Sequence, residues 1–100
     1  MRLRCRSCEP VPEEVRRIAD ILERRHVIPV LWASISGATR FNEFRQAVRG
    51  VPPRTLSERL RDLEGAGVLT REIVPASPPY PEYRLTDRGR RLATVVRALS

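Results

Sequence analysis

The chain has 100 residues and a formal charge of +7 at pH 7, with 41% hydrophobic, 31% charged and only 5% aromatic residues. That composition describes one small folded domain with a modest core of Leu, Val and Ile, and it excludes large enzyme architectures and a disordered polyelectrolyte. No apolar run approaches the roughly 18 residues of a membrane span, and no apolar stretch follows Met1-Arg2-Leu3-Arg4 as in a secretory signal, so a cytoplasmic protein is expected.

Residues 1–12 read as an N-terminal arm and residues 13–100 as the folded domain. The arm carries Cys5 and Cys8 among basic neighbours, which favour thiolate, so this Cys-x-x-Cys is a candidate redox pair. A structural zinc site needs four ligands, and no second cysteine pair exists, so no metal is expected. Glu13 and Glu14 suit a helix start, and Val15, Ile18, Ala19 and Leu22 give an amphipathic stripe. A second apolar run from Val27 to Ile35 places Pro29 in the first turn of a buried helix, with Trp32 in the core and Gly37 as the stop. Asn42 is the expected N-cap of a short third helix reaching about Val48, with Phe41, Phe44 and Val48 on one face.

Pro53 opens the fourth helix, which buries Leu56, Leu60 and Leu63 and closes at Gly65 and Gly67. From Val68 to Val74 the period changes to that of a strand, with Leu69 and Ile73 inward and Thr70 and Glu72 outward. A proline-rich loop leads to a returning strand at Glu82-Tyr83-Arg84-Leu85. Thr86 or Asp87 caps a last helix with Leu92, Val95, Val96 and Leu99 on its apolar face. The expected fold class is α+β, mostly helical: a winged helix-turn-helix domain with a two-stranded wing.

All 19 basic residues are arginine, and their excess is spread along the chain: +4 in the first fifty residues and +3 in the second. A charge so distributed is no basic tail, and it points to a polyanionic partner, nucleic acid ahead of a membrane surface. No Ser/His/Asp set, His/Cys set or glycine-rich phosphate loop occurs at working spacing, so the chain reads as no enzyme and needs no cofactor.

Arg40-Phe41-Asn42-Glu43-Phe44, then Pro53-Arg54-Thr55-Leu56-Ser57-Glu58-Arg59-Leu60-Arg61-Asp62-Leu63-Glu64, then Gly67-Val68-Leu69 resemble the HxlR-type family of bacterial winged-helix regulators. Pro78-Pro79, followed by Glu82-Tyr83-Arg84-Leu85-Thr86 and Gly89, is similar to that family's wing and strand-to-helix junction. The resemblance spans residues 27–99 and implies a homodimeric, DNA-binding transcription factor whose first and last helices make the dimer contacts. The chain departs from the family at Glu23-Arg24-Arg25-His26, where Gly-Gly-Lys-Trp is usual, at Pro52, where Ser or Thr caps the recognition helix, and in the position of Cys8.

On this reading the helix at residues 53–64 enters the major groove, with Arg54, Thr55 and Ser57 as base readers. Glu58 either accepts from a cytosine amino group or pairs with Arg54 one turn earlier. Arg59 and Arg61 are phosphate candidates, as are Arg40 and Asn42 at the start of the supporting helix. Arg71 and Arg84 flank the wing, with Tyr80 near its tip on phosphate or packed on the hairpin. The expected partners are double-stranded DNA and a second copy of the chain. The alternatives are a winged-helix adaptor for an acidic protein, and a thiol redox sensor acting through Cys5 and Cys8.

Overall fold

The computed structural model describes residues 9–100, so Cys5 and Cys8 lie outside the described residues. Among these residues are five helices and one antiparallel hairpin: α1 (Glu13–Leu22), α2 (Val27–Ile35), α3 (Phe41–Ala47), α4 (Pro53–Gly65), β1 (Leu69–Val74), β2 (Tyr80–Leu85) and α5 (Asp87–Arg97). This is the winged helix-turn-helix order expected. The hairpin runs in register from Leu69 opposite Leu85 to Val74 opposite Tyr80.

The core follows from spacing. Val27, Val30 and Leu31 of α2, Phe44 of α3, and Leu56, Leu60 and Leu63 of α4 are fully buried and pack with Val68, Leu69 and Val96. α2 supplies the central pillar because it is apolar on most faces. Pro29, at its third position, removes no helical hydrogen bond. α1 contributes least: none of its residues is buried, and Ile18, Ile21 and Leu22 only lean on the core.

Three expectations need correction. Trp32 is not in the core but is 40% exposed, because the side of α2 that turns inward already carries Val27, Val30, Leu31 and Ser34. Ile73 does not point inward; it is 52% exposed, since the hairpin extends beyond the helices that cover Leu69. Asn42 is not the N-cap of α3. Arg40 holds that position in extended backbone, and Glu43 reaches back, its Oε1 accepting from the amides of Thr39 and Arg40 at 2.9 Å each. The returning carboxylate serves the two amides that precede the helix, the reciprocal half of a capping box.

The wing is fixed to the helices at one junction. α4 ends in a left-handed Gly67 with φ +76°, and the Val68 amide donates back to the Leu63 carbonyl at 2.9 Å. At the other end of the hairpin, the Thr86 amide donates to the Val68 carbonyl at 3.0 Å, and its hydroxyl donates to the Gly67 carbonyl. The same hydroxyl oxygen caps α5 by accepting from the Gly89 amide at 3.0 Å. Gly89 is buried, and a Cβ there would lie 2.3 Å from the Val68 carbonyl oxygen and 2.9 Å from Leu85 Cδ2.

Gly89→Ala gains about 1 kcal/mol of helix propensity but drives a methyl into a backbone carbonyl. The clash dominates, and the variant is expected to lose about 1–3 kcal/mol in a denaturant titration. Thr86→Val, which keeps the volume and removes the cap, is expected to lose about 1 kcal/mol by the same measurement.

Candidate nucleic-acid interface

α4 presents two faces. Leu56, Leu60 and Leu63 have no exposure, while Arg54, Glu58 and Arg61, at i, i+4 and i+7, form an outward stripe flanked by the half-buried Thr55 and Ser57. Among the described residues Arg54 and Glu58 form no ion pair with each other or with another group, so both heads are left to solvent. The helix starts at Pro53 after an N-cap, Pro52, that has no side-chain acceptor. The Arg54 and Thr55 amides therefore open the helix without an intrahelical partner, at its positive end.

The wing is clamped to α3 and the segment before it. The Tyr83 amide donates to the Thr39 carbonyl at 2.7 Å, and the Tyr83 ring meets Phe44 edge-on with centroids 6.3 Å apart. At the first residue of β2 the Arg40 guanidinium carbon sits 3.8 Å over the Tyr80 ring centroid. Arg40, Asn42, Glu43 and Tyr80 thus line one shallow groove between the start of α3 and the wing. The contact seen for Tyr80 is with Arg40 before α3, not with the hairpin, and it leaves the Arg40 head at the rim.

Two of the other predicted cations, Arg59 and Arg84, are committed elsewhere. Arg59 donates through Nε to the Arg25 carbonyl at 2.9 Å and through Nη1 to Asp62 at 2.7 Å. Asp62 also takes Arg24 at 3.0 Å, and Arg24 in turn holds Asp20 at 3.2 Å. The bond to Asp62, then that to Asp20, raises the Arg24 pKa further above its ordinary range. Arg84 is paired with Glu82 at 2.6 Å and lies 3.9 Å from Glu72. Arg61 lies with Arg17 of α1 and Arg88 of α5 around a separate groove. Arg71 is exposed on β1 and unpaired among the described residues. Arg45 and Arg49, exposed on α3 and in the turn after it, were passed over by sequence reading because periodicity marks a charge as outward and says nothing of its partner.

A short helix bearing alternate arginines, supported by a second helix across a tight turn and flanked by a β-hairpin, defines the winged-helix class of DNA-binding domains. The HxlR-like helix-turn-helix family model matches residues 21–100, and the chain belongs to that family. It is 38% identical over 84 residues to the uncharacterised HTH-type transcriptional regulator YvaP of Bacillus subtilis, covering 84% of this chain and 78% of YvaP. It is 35% identical over 85 residues to the regulator sll1512 of Synechocystis, covering 85% of this chain and 63% of that protein. Among solved structures, the redox regulator HypR in its reduced form superposes with a TM-score of 0.76 at 34% identity, covering 85% of this chain and 84% of HypR. YodB from B. subtilis, treated with diamide, gives 0.81 at 23% identity over 91% of this chain and 90% of its own, a likeness of fold. The chain is a DNA-binding transcriptional regulator of the HxlR type.

The Glu43 cap carries a pH signature. The Thr39 amide first, then the Arg40 amide, hold its carboxyl below the usual glutamate range. A lowered folded pKa means the stabilisation is complete above the unfolded value and is lost as pH falls through the folded one. Thermal unfolding from pH 6 down to about pH 3 is therefore expected to show a fall in Tm that is shallower in Glu43→Gln.

Proposed function

We propose that α4 reads base edges in the major groove while the wing and the start of α3 hold the flanking backbone. Arg54, with Thr55 and Ser57 beside it, is the base reader. Arg40, Asn42, Arg71 and Tyr80 serve the phosphates or the adjacent minor groove. Arg59 and Arg84 are internal counter-ions in this reading, and Arg61 belongs to the groove beneath α1. The observation that carries it is the outward Arg54 head on a helix whose opposite face is fully buried, so the arginine reaches a base without disturbing the packing. Glu58, unpaired on the same stripe, is placed to accept from cytosine.

A homodimer is part of this proposal. α1 leans on the core through Ile18 and Leu22, which leaves Val15 49% exposed. On α5, Val96 is buried while Val95 is 57% exposed, and Leu99 just past its end is 67% exposed. These apolar side chains at the first and last helices are what a partner copy would cover. Two-fold symmetry then places half-sites about one DNA turn apart, roughly 34–36 Å. No helix among the described residues is long and apolar enough to cross a membrane, in keeping with action on cytoplasmic DNA. The family supplies no catalytic role, and none is proposed.

Selection of a binding site from random duplexes, followed by titration of variants across salt, tests the reading. Arg54→Ala is expected to cost about 1–3 kcal/mol on the selected site and to relax preference at one position per half-site. Arg71→Ala is expected to weaken selected and random duplexes alike and to lower the salt slope by about 0.9. An unchanged selected-to-random ratio in Arg54→Ala overturns the assignment. Val95→Asp is expected to shift sedimentation from dimer to monomer at micromolar concentration, and a dimer that persists removes α5 from the interface.

A further inference from the structure

A groove of about 500 Å³ runs between α1, the C-terminal half of α4 and the first turn of α5. That volume falls within the roughly 300–1,000 Å³ of small-molecule sites. Its apolar lining comes from the half-buried Ile18 and Ile21 of α1 and from Ala66 just past α4, beside five charged side chains. Two exposed cations look into it from separate elements, Arg61 of α4 and Arg88 of α5, and among the described residues neither has a carboxylate partner. Arg17 at the rim is 3.6 Å from Glu13. The two carboxylates on the groove, Asp20 and Asp62, are both engaged by Arg24, and Asp62 by Arg59 as well. The groove is therefore net cationic with an apolar patch. Two guanidinium groups without carboxylate partners on its lining suit a planar carboxylate, and the patch beside them suits a flat hydrocarbon body.

We propose that this groove is an effector site for a small aromatic carboxylate, bound with its carboxylate between Arg61 and Arg88 and its ring on Ile18, Ile21 and Ala66. One wall is α1, which has no fully buried residue and rests on the core through the half-buried Ile18 and Ile21. The opposite wall is the recognition helix, with Asp62, which ties α4 to the segment after α1, on the groove itself. A ligand bridging these walls changes the seating of α1 against α4. The regulatory half of this proposal rests on the DNA-binding reading; the binding half does not.

The test uses the full chain without DNA and 1-naphthoate as probe, with 1-naphthamide, acetate and inorganic phosphate as controls, by calorimetry. Naphthoate is expected to bind once per chain with a Kd of about 1 mM or tighter. Arg61→Ala and Arg88→Ala are each expected to weaken it about fivefold or more, with thermal stability retained because both side chains are exposed. Equal binding of naphthamide, acetate or phosphate overturns the site, as do no binding of naphthoate and indifference to both variants. A loss of random-duplex affinity in Arg88→Ala without ligand also overturns it, since the arginine is then a phosphate contact. On the selected duplex, saturating naphthoate is expected to shift affinity at least about fivefold, because coupling is reciprocal. Binding without that shift overturns the regulatory half alone, and failure to select any duplex overturns the DNA reading while the DNA-free titration still stands.

Discussion

The carbonyl of Val68 is the point on which the geometry of the molecule turns. It accepts from the Thr86 amide, and it presses so closely on Gly89 that no side chain fits there. Thr86 binds the carbonyl end of α4 through Gly67 and the amide end of α5 through Gly89. Four chain ends therefore meet in one hydrogen-bonded junction: the last turn of α4, both ends of the hairpin, and the first turn of α5. The wing has a defined angle to the recognition helix because both are anchored there, and the Tyr83–Thr39 bond repeats the constraint further along β2. A two-stranded ribbon alone is marginal in water, so this anchoring gives the wing its fixed direction.

The surface charge is less free than its total suggests. A charge of +7 invites every arginine to be read as a phosphate contact. Yet Arg24 and Arg59 are bound to Asp62, Arg84 to Glu82, and Arg90 to Asp87. Among the arginines without a carboxylate partner in the described residues, Arg54 on α4, Arg40 at the start of α3 and Arg71 on the wing lie on three elements that the core and the junction hold in one frame. On the proposed reading, long-range attraction to DNA comes from the sum of charge, whereas register comes from the few heads carried on elements that packing holds in place.

Much of this fold was legible in the chain because its signals are local. Leu56, Leu60 and Leu63 recur at helical spacing after Pro53, and the change to Val68, Ile73 and Val74 marks the strand. Ile73 was misread because periodicity does not say how far the covering element extends, and Trp32 because a helix apolar on most faces does not show which face turns inward. Asn42 was taken as a cap on residue type, while the actual acceptor, Glu43, works from the third position. The outward direction of Arg54 follows from the leucine stripe and could be read early. The captivity of Arg59 and Arg84 was legible only in part: Asp62 and Glu82 lie three and two residues away in sequence, but Arg59 also bonds a carbonyl 34 residues off, and Arg84 nears Glu72 of the facing strand only once the hairpin has formed.

The carboxylate of Asp62 has a consequence for how this sequence can drift. Two arginines from different parts of the chain converge on one acid, so the three positions are not equally replaceable. Loss of either Arg24 or Arg59 leaves the acid with a remaining partner, and the exposed Arg24 can still turn to Asp20. Loss of the acid leaves Arg59, only one-fifth exposed, pinned near an unneutralised neighbour of its own sign. Substitutions among the three are therefore coupled and non-additive, and the order in which they arise matters. A lineage can lose its arginines one at a time and keep a registered recognition helix, whereas loss of Asp62 is tolerated only after an arginine has already gone.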